Sequence, residues 1–345
     1  MALKNLPQSI IISRTDNLGD VVVTLPMAGY IKSIAPKTKV YFLGKSYTRS
    51  VIEASSFVDQ FIDKDEVLQN PLMLREFNAG AIIFVLPDKA VAHAASKAAI
   101  PMRVGTSHKV YHWLYCNKRV SFSRRKSDLH EAQLNFKLFE PFEALTEPAF
   151  DQIKNWYGLD FGNESTNFSQ WLVDDKFNLI VHPKSKGSAK EWGVENYADL
   201  VAQLPADDFN VLITGIKEEG DLLKTQVPQL FEHSHVQDLT GALSLDELMG
   251  LISKADGFLA GSTGPLHIAS ALGKFTLGIY PPIRPMHPGR WQPIGKNAHH
   301  ITLNKECSDC RKSDTCACVK SITIAQVKSK LIEFTKYHNQ SLNGK

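Results

Sequence analysis

The chain has 345 residues, 43% of them apolar and 22% charged, with 39 Lys and Arg against 36 Asp and Glu. That length suggests two domains, each able to close its own core, and the composition excludes a disordered or fibrous chain. No apolar run reaches the roughly 18–20 residues of a membrane span, and the near balance of charge argues against a nucleic-acid binder.

Residues 1–8 carry one Lys and no apolar core, and Ile10–Ile12 lead straight into Arg14 and Asp16. A signal peptide is therefore not expected, and a cytoplasmic protein is. Ser9–Ser13 is a β-branched run suited to the first strand of a parallel sheet. It enters R-T-D-N-L-G-D, Arg14–Asp20, ahead of a segment that turns helical after Pro26. Strands are expected at 39–44, 60–62 and 79–86, with helices at 49–55 and from 89 through Ala99. Edge strands are expected at 102–106 and 119–122. In this βαβα pattern Asp20 falls at a strand-to-helix turn, where the helix dipole favours an ionised carboxylate. Such a group can take a proton from an attacking hydroxyl. Gly19 would permit a tight turn or close substrate approach. An ordinary helix N-cap at Asp16 or Asp20 explains the same residues.

One helix is expected over His130–Leu145, then an aperiodic, Pro- and Asn-rich stretch from 147. The inter-domain linker is placed within 147–175, separating residues 1–167 from 176–345. Alternation then resumes with strands at 178–181, 210–214, 257–260 and 275–280. Helices are expected at 197–204, 218–225, 245–252, 266–272 and, closing the chain, 324–336. The whole reads as α/β, two Rossmann-like domains facing a cleft, with ligands at the carboxyl ends of the strands.

Two loops of the second half suit an anion. His182–Gly193 sets Lys184, Lys186 and Lys190 among Ser185, Gly187 and Ser188 directly after a strand, a composition that fits diphosphate oxygens. A Walker loop is absent, and a simply solvated lysine loop would look the same. Ser262, Thr263 and Gly264 sit where a strand breaks into a helix, offering hydroxyls and free N–H groups to a pyrophosphate, with His267 close by. A plain capped joint with a buried structural histidine is the competing explanation.

Basic residues cluster between the fifth strand and the linker: Arg103, Lys109, Lys118, Arg119, Arg124, Arg125 and Lys126, with His108 and His112. Tyr111, Trp113 and Tyr115 are interleaved. This suits a phosphorylated glycolipid at a membrane surface, a solvated face, or a nucleic acid. Near the C-terminus Cys307, Cys310, Cys316 and Cys318 lie within a dozen residues, a density suited to a tetrahedral metal. Reduced thiols packed against the last helix are the alternative. Cys116 stands alone.

Taken together, R-T-D-N-L-G-D-V-V-V-T-L-P, H-E-A-Q-L-N (130–135), A-K-E-W (189–192), L-S-L-D-E-L (243–248) and G-S-T-G-P-L-H-I-A-S-A-L resemble glycosyltransferase family 9, the bacterial ADP-heptose:lipopolysaccharide heptosyltransferases. The ordered set spans nearly the whole chain. The resemblance implies a GT-B fold and an inverting transfer of heptose from ADP-heptose to a sugar hydroxyl of the lipopolysaccharide inner core. Asp20 would be the general base, and no catalytic cofactor is implied. Donor contacts carry over to Ser185, Lys186, Lys190, Glu219, Leu243, Ser262, Thr263, Gly264 and His267, with Ser262 standing where some members have an acid. Arg14, Gly19, Arg124, Arg125 and His130 are assigned to an anionic glycolipid acceptor, which implies a peripheral position on the inner face of the cytoplasmic membrane. Some relatives bind iron through a similar cysteine cluster, which gives the four cysteines a structural zinc or iron reading. Other readings are another nucleotide sugar, a protein acceptor, or a non-transferase ADP-binding Rossmann protein. The last is weakened because no G-x-G-x-x-G follows the first strand.

Overall fold

The computed structural model describes residues 6–125, 127–161, 167–305, 307, 310, 313 and 315–343, with 337–343 as backbone only. Two compact units divide the chain, residues 1–160 and 161–345. The first runs β1 (Ser9–Ser13), α1 (Leu18–Val22), α2 (Pro26–Ile34), β2 (Lys39–Gly44), α3 (Arg49–Glu53), β3 (Gln60–Asp63) and α4 (Lys64–Gln69). It continues through β4 (Ala81–Phe84), α5 (Lys89–Lys97), β5 (Met102–Thr106), α6 (Val110–Tyr115), β6 (Lys118–Val120) and α7 (Glu131–Phe136). Its six parallel strands are ordered β3-β2-β1-β4-β5-β6. The central strand β1 is the β-branched run read from sequence. Ile10, Ile11 and Ile12 have no exposed surface, as a strand covered on both faces requires.

The order reverses between β1 and β4, so the loops after these neighbours open a crevice at the carboxyl edge of the sheet. The unit is closed by a 3₁₀ segment, Phe150–Trp156, where the sequence shows no period. Trp156 stacks on Phe136 with ring centroids 5.4 Å apart and meets Tyr30 at 5.3 Å. The approach is close enough that a Cβ at Gly29 would lie 2.2 Å from the Trp156 carbonyl oxygen.

The second unit runs β7 (Phe177–His182), α8 (Val194–Gln203), β8 (Phe209–Ile213), α9 (Lys217–Gln226), β9 (Val236–Asp238), α10 (Leu245–Lys254) and β10 (Gly257–Gly261). It ends with α11 (Gly264–Ala271), β11 (Phe275–Ile279), α12 (Pro288–Trp291), β12 (Ala298–Ile301), α13 (Ala317–Lys320) and α14 (Ile324–Asn343). The strand order, β9-β8-β7-β10-β11-β12, repeats the winding of the first sheet, with its reversal between β7 and β10. The C-terminal segment is fastened to this unit. Phe334 of α14 stacks on Phe275 at 5.2 Å, and the buried Trp192 donates its indole N–H to the Ile322 carbonyl at 2.8 Å.

Several expectations need correction. β5 is an inner strand, paired on both sides, and only β6 lies at that edge. The helix expected over 130–145 is α-helical only to Phe136 and tightens into 3₁₀ through Phe142, because Pro141 has no N–H and restricts its predecessor. The last helix continues past 336 to Asn343. The edge strands β9 and β12, V-Q-D and A-H-H-I, are too short and polar to carry a period. Among the described residues, no helix is long and apolar enough to cross a membrane.

The Gly29→Ala substitution tests the closure of the first unit. Forcing a methyl group against the Trp156 backbone should cost on the order of 1–3 kcal/mol, read as a lower urea midpoint.

Candidate active site

At the crevice of the first sheet, the guanidinium of Arg14 lies buried just beyond the end of β1 and meets three carboxylates. Nε donates to Asp16 Oδ1 at 2.7 Å, Nη1 to Glu131 Oε1 at 3.3 Å, and Nη2 to Asp20 Oδ1 in a short ion pair. Arg124 adds a second cation to Glu131, its Nη1 lying 2.8 Å from Oε1, while its Nη2 donates to the Val85 carbonyl at 3.0 Å just past β4. Across the same crevice Thr15 Oγ1 bonds Asp88 Oδ2 at 3.2 Å, and Asp88 also takes the Lys64 ammonium at 2.8 Å. The loops after β1 and β4 are thus tied together by charged and polar groups.

Asp20 is the third residue of the five-residue α1, its side chain only 16% exposed. Burial pushes its carboxyl up to about 6; Arg14 pulls the other way, and Asp16 and Glu131 add to the rise. The expectation that the helix dipole would favour the ionised form is therefore corrected. Loss of water dominates over one and a half turns of helix, and Arg14 supplies the main opposing charge. Burial also works against the charged form of Arg14, yet Asp20, Asp16 and Glu131 together raise it above its ordinary value.

The other residues assigned to an acceptor are placed as follows. Gly19 is the second residue of α1, with helical backbone rather than a tight turn. His130 is buried and caps α7, its Nδ1 accepting from the Ala132 N–H at 3.1 Å. Arg14 and Arg124 are engaged by carboxylates, whereas Arg125 is exposed. Lys126 lies outside the described residues. Glu131, inside the H-E-A-Q-L-N stretch, was not picked out from the sequence. Its signal is an acid at the first position of a short helix whose buried residues include Ala132, Leu134, Asn135 and Phe136, where it is 2% exposed.

The second sheet presents its loops at the carboxyl ends of β7, β8 and β10. Thr263 occupies the N-cap position of α11, but its side chain makes no capping bond. Among the described residues, the buried Thr263 Oγ1 and His267 Nδ1 have no hydrogen-bond partner. Burial holds His267 near a pKa of about 4, so the ring is neutral at ordinary pH. Gly264 begins the helix, Pro265 follows, and the Ser262 hydroxyl hydrogen-bonds Tyr280.

In the lysine loop Glu191 is the organiser. Its Oε1 accepts from Ser185 N and Ser185 Oγ, each at 3.1 Å, and its Oε2 takes Lys184 Nζ at 2.5 Å. Lys186 is exposed with φ of 47°, and Gly187, which follows it, also has positive φ. Lys190 is buried, with Nζ donating to the Ser313 carbonyl. Glu219 Oε2 accepts from the Ile216 N–H at 3.0 Å and so caps α9, and Leu243, just before α10, is half-buried.

The metal reading of the cysteines is not supported. Cys307, Cys310, Cys316 and Cys318 are reduced and pack against one apolar core, and among the described residues no three His, Cys, Asp or Glu side chains converge on a cation. Cys316 and Cys318 are buried in that core, at the start of and within α13, and burial raises the Cys316 thiol.

Residues 74–320 match the model of glycosyltransferase family 9 (heptosyltransferase). A Haemophilus influenzae protein with a provisional assignment as a glycosyltransferase is 30% identical over 317 residues, 86% of this chain and 89% of its own. The structure of Escherichia coli ADP-heptose lipopolysaccharide heptosyltransferase II superposes with a TM-score of 0.75 at 17% identity, covering 96% of this chain and 99% of that one. The Escherichia coli heptosyltransferase WaaC, solved with ADP-2-deoxy-2-fluoro heptose, gives 0.67 at 16% identity over 94% and 99% of the two chains.

The perturbed carboxyl has a thermodynamic signature. Asp20 binds a proton more tightly folded than unfolded, so its contribution favours the native state at low pH and is lost as pH rises through about 6. The stability difference between Asp20→Asn and the parent should therefore move in favour of the variant from about pH 4 to 6, measured by urea unfolding across that range.

Proposed function

Because the chain belongs to glycosyltransferase family 9 and carries the GT-B class of fold in its two α/β units, we propose that it transfers heptose from ADP-heptose to a hydroxyl of a lipid-linked core sugar, with inversion at the anomeric carbon. The observation that carries this reading is the start of α11. Among the described residues, the buried Thr263 hydroxyl and Nδ1 of the buried neutral His267 ring stand without hydrogen-bond partners beside the free N–H groups of a helix N-terminus. Unpaired buried polar atoms cost free energy unless a ligand satisfies them, and a diphosphate at a helix start does so. Lys190 would exchange its bond to the Ser313 carbonyl for a phosphate oxygen. Glu219 and Leu243 serve the ribose and adenine in this reading. The matched relatives whose names or ligands include ADP-heptose or its fluoro analogue support the choice of donor.

Asp20 acts as the base. The acceptor oxygen attacks the anomeric carbon and gives its proton to the Asp20 carboxylate. A new C–O bond forms as the bond from carbon to the β-phosphate oxygen breaks, and ADP leaves with the electron pair. A carboxyl brought to about 6 by burial is mostly ionised at neutral pH yet more basic than an exposed aspartate. Arg14 is a positioning residue, holding that carboxylate in one rotamer. The departing ADP is stabilised electrostatically by Lys190, the α11 N–H groups and His267. This assigns the acceptor to the first domain and the nucleotide sugar to the second.

Incubation with ADP-heptose and a lipid-linked core acceptor, reading ADP release, tests the proposal. Asp20→Asn should lose transfer by about a thousandfold, within the range of one general base, while calorimetry shows ADP bound as before. In the parent enzyme kcat/KM should rise with pH through about 6, following ionisation of Asp20. His267→Ala and Thr263→Val should each weaken ADP by about tenfold, the worth of one buried hydrogen bond. Full turnover by Asp20→Asn would refute the base assignment.

A further inference from the structure

Among the described residues, the most exposed large apolar side chains lie together. On the short helix α6, Val110, Trp113 and Leu114 are 82%, 62% and 73% exposed, the three most exposed large apolar side chains among the described residues. Their spacing, i, i+3 and i+4, puts them on one helix face. The opposite face is anchored. His112 is fully buried, its Nδ1 bonds the Thr106 carbonyl at 2.9 Å, and it lies so close to β5 that a Cβ on Gly105 would come within 2.6 Å of the ring. The helix therefore cannot roll to hide its apolar side.

Along the stretch of chain that carries this face the charge is of one sign. Residues 101–127 contain no Asp or Glu, although the chain has 36. Lys109, Lys118, Arg119 and Arg125 are exposed in this stretch, and the Arg119 guanidinium stacks over the Trp113 ring at 4.3 Å. Trp113 is held upright by its indole N–H, which donates to the Ser107 carbonyl at 3.1 Å. Ser107–Lys109 and Phe122–Arg125 follow the carboxyl ends of β5 and β6, the same edge of the sheet on which Asp20 stands.

We infer that α6 is a docking element for an anionic lipid bilayer, with Val110, Trp113 and Leu114 entering the interface and Lys109, Lys118 and Arg119 facing the lipid headgroups. An exposed Trp flanked by aliphatic side chains suits the boundary between acyl chains and headgroups. Basic residues at its margin are drawn to a negative surface. A second copy of the chain would bring Lys109, Lys118 and Arg119 against their own counterparts, so like-charge repulsion disfavours that occupant. One and a half helical turns can dip into a leaflet but not cross it, so the docking is peripheral and sensitive to salt. The inference extends the lipid-linked acceptor reading above, since it would bring Asp20's edge of the sheet to the surface where such an acceptor lies.

The test is co-flotation of the full chain with vesicles of phosphatidylcholine alone or phosphatidylcholine carrying phosphatidylglycerol, with no donor or acceptor present. Failure here therefore leaves the transferase reading intact, and failure of transfer leaves this one intact. Binding should appear on the anionic vesicles, weaken in high salt, and fall by about tenfold or more in Leu114→Ser and Val110→Ser, as expected for removal of exposed apolar area at an interface. Lys109→Glu with Lys118→Glu should weaken it at least as much, and it provides a second arm independent of the helix face. All variants should bind ADP as the parent does. Equal binding to both vesicle types, no binding to either, undiminished binding by the variants, or a dimer in light scattering that Leu114→Ser dissolves would each overturn the inference.

Discussion

A single buried cation governs the first half of this molecule. Arg14 leaves the end of β1 and is enclosed by Asp16, Asp20 and Glu131. A guanidinium taken out of water requires charge partners close by, and its planar fork, with donors in several directions, can serve three of them at once. Two partners are local, in the loop after β1 and in helix α1, and the third, in the first turn of α7, is 117 residues away. With Arg124 joining Glu131 and the Val85 carbonyl, the network fixes the loops after β1 and β4 and thereby the rotamer of Asp20.

That dependence explains why the carboxyl is neither an ordinary surface aspartate nor a neutral buried acid. Burial drives it toward protonation, and two neighbouring carboxylates push the same way. Arg14 is the counterweight. Were the cation absent, the remaining influences would all favour the acid form. A side chain that could not give up its proton at neutral pH could not accept one from a sugar hydroxyl.

Much of this was readable in the sequence, for physical reasons that differ by element. The β-branched runs of β1, β4 and β8 are buried on both faces, so their composition betrays them without any alternation. The strand-glycine-helix joint at β10 and α11 is written in local chain chemistry, and its residues do meet at one sheet edge. Glu131 was missed because its significance depends on a contact 117 residues away in sequence. The dipole argument for Asp20 failed because it weighed a local field and could not weigh desolvation, which is a property of the folded surroundings. The cysteine spacing suggested ligands, but spacing does not say which way thiols turn, and among the described residues no three such side chains converge on a cation. The basic stretch after β5 looked like one patch, yet Arg103 and Arg124 are spent on the protein itself, Arg103 donating to the Tyr115 and Ile100 carbonyls at 2.6 Å each.

The two sheets share one winding and differ in how their crevices are finished, and that difference follows from the chemistry each would support. At β1 and β4 the groups are charged and paired with one another, so the first crevice is tied together before any ligand arrives. At β10 and α11 the polar atoms are neutral and unsatisfied, among the described residues, and the His267 ring is kept neutral by burial. A site built to hold a diphosphate leaving group gains from donors that have not already been spent, because forming those bonds then costs no exchange of partners. Lys190 is the exception, since it is already bonded to the Ser313 carbonyl, and a ligand must compete for it. That carbonyl is a neutral acceptor, whereas a phosphate oxygen carries negative charge, so Coulomb attraction to the ammonium turns the exchange toward the ligand.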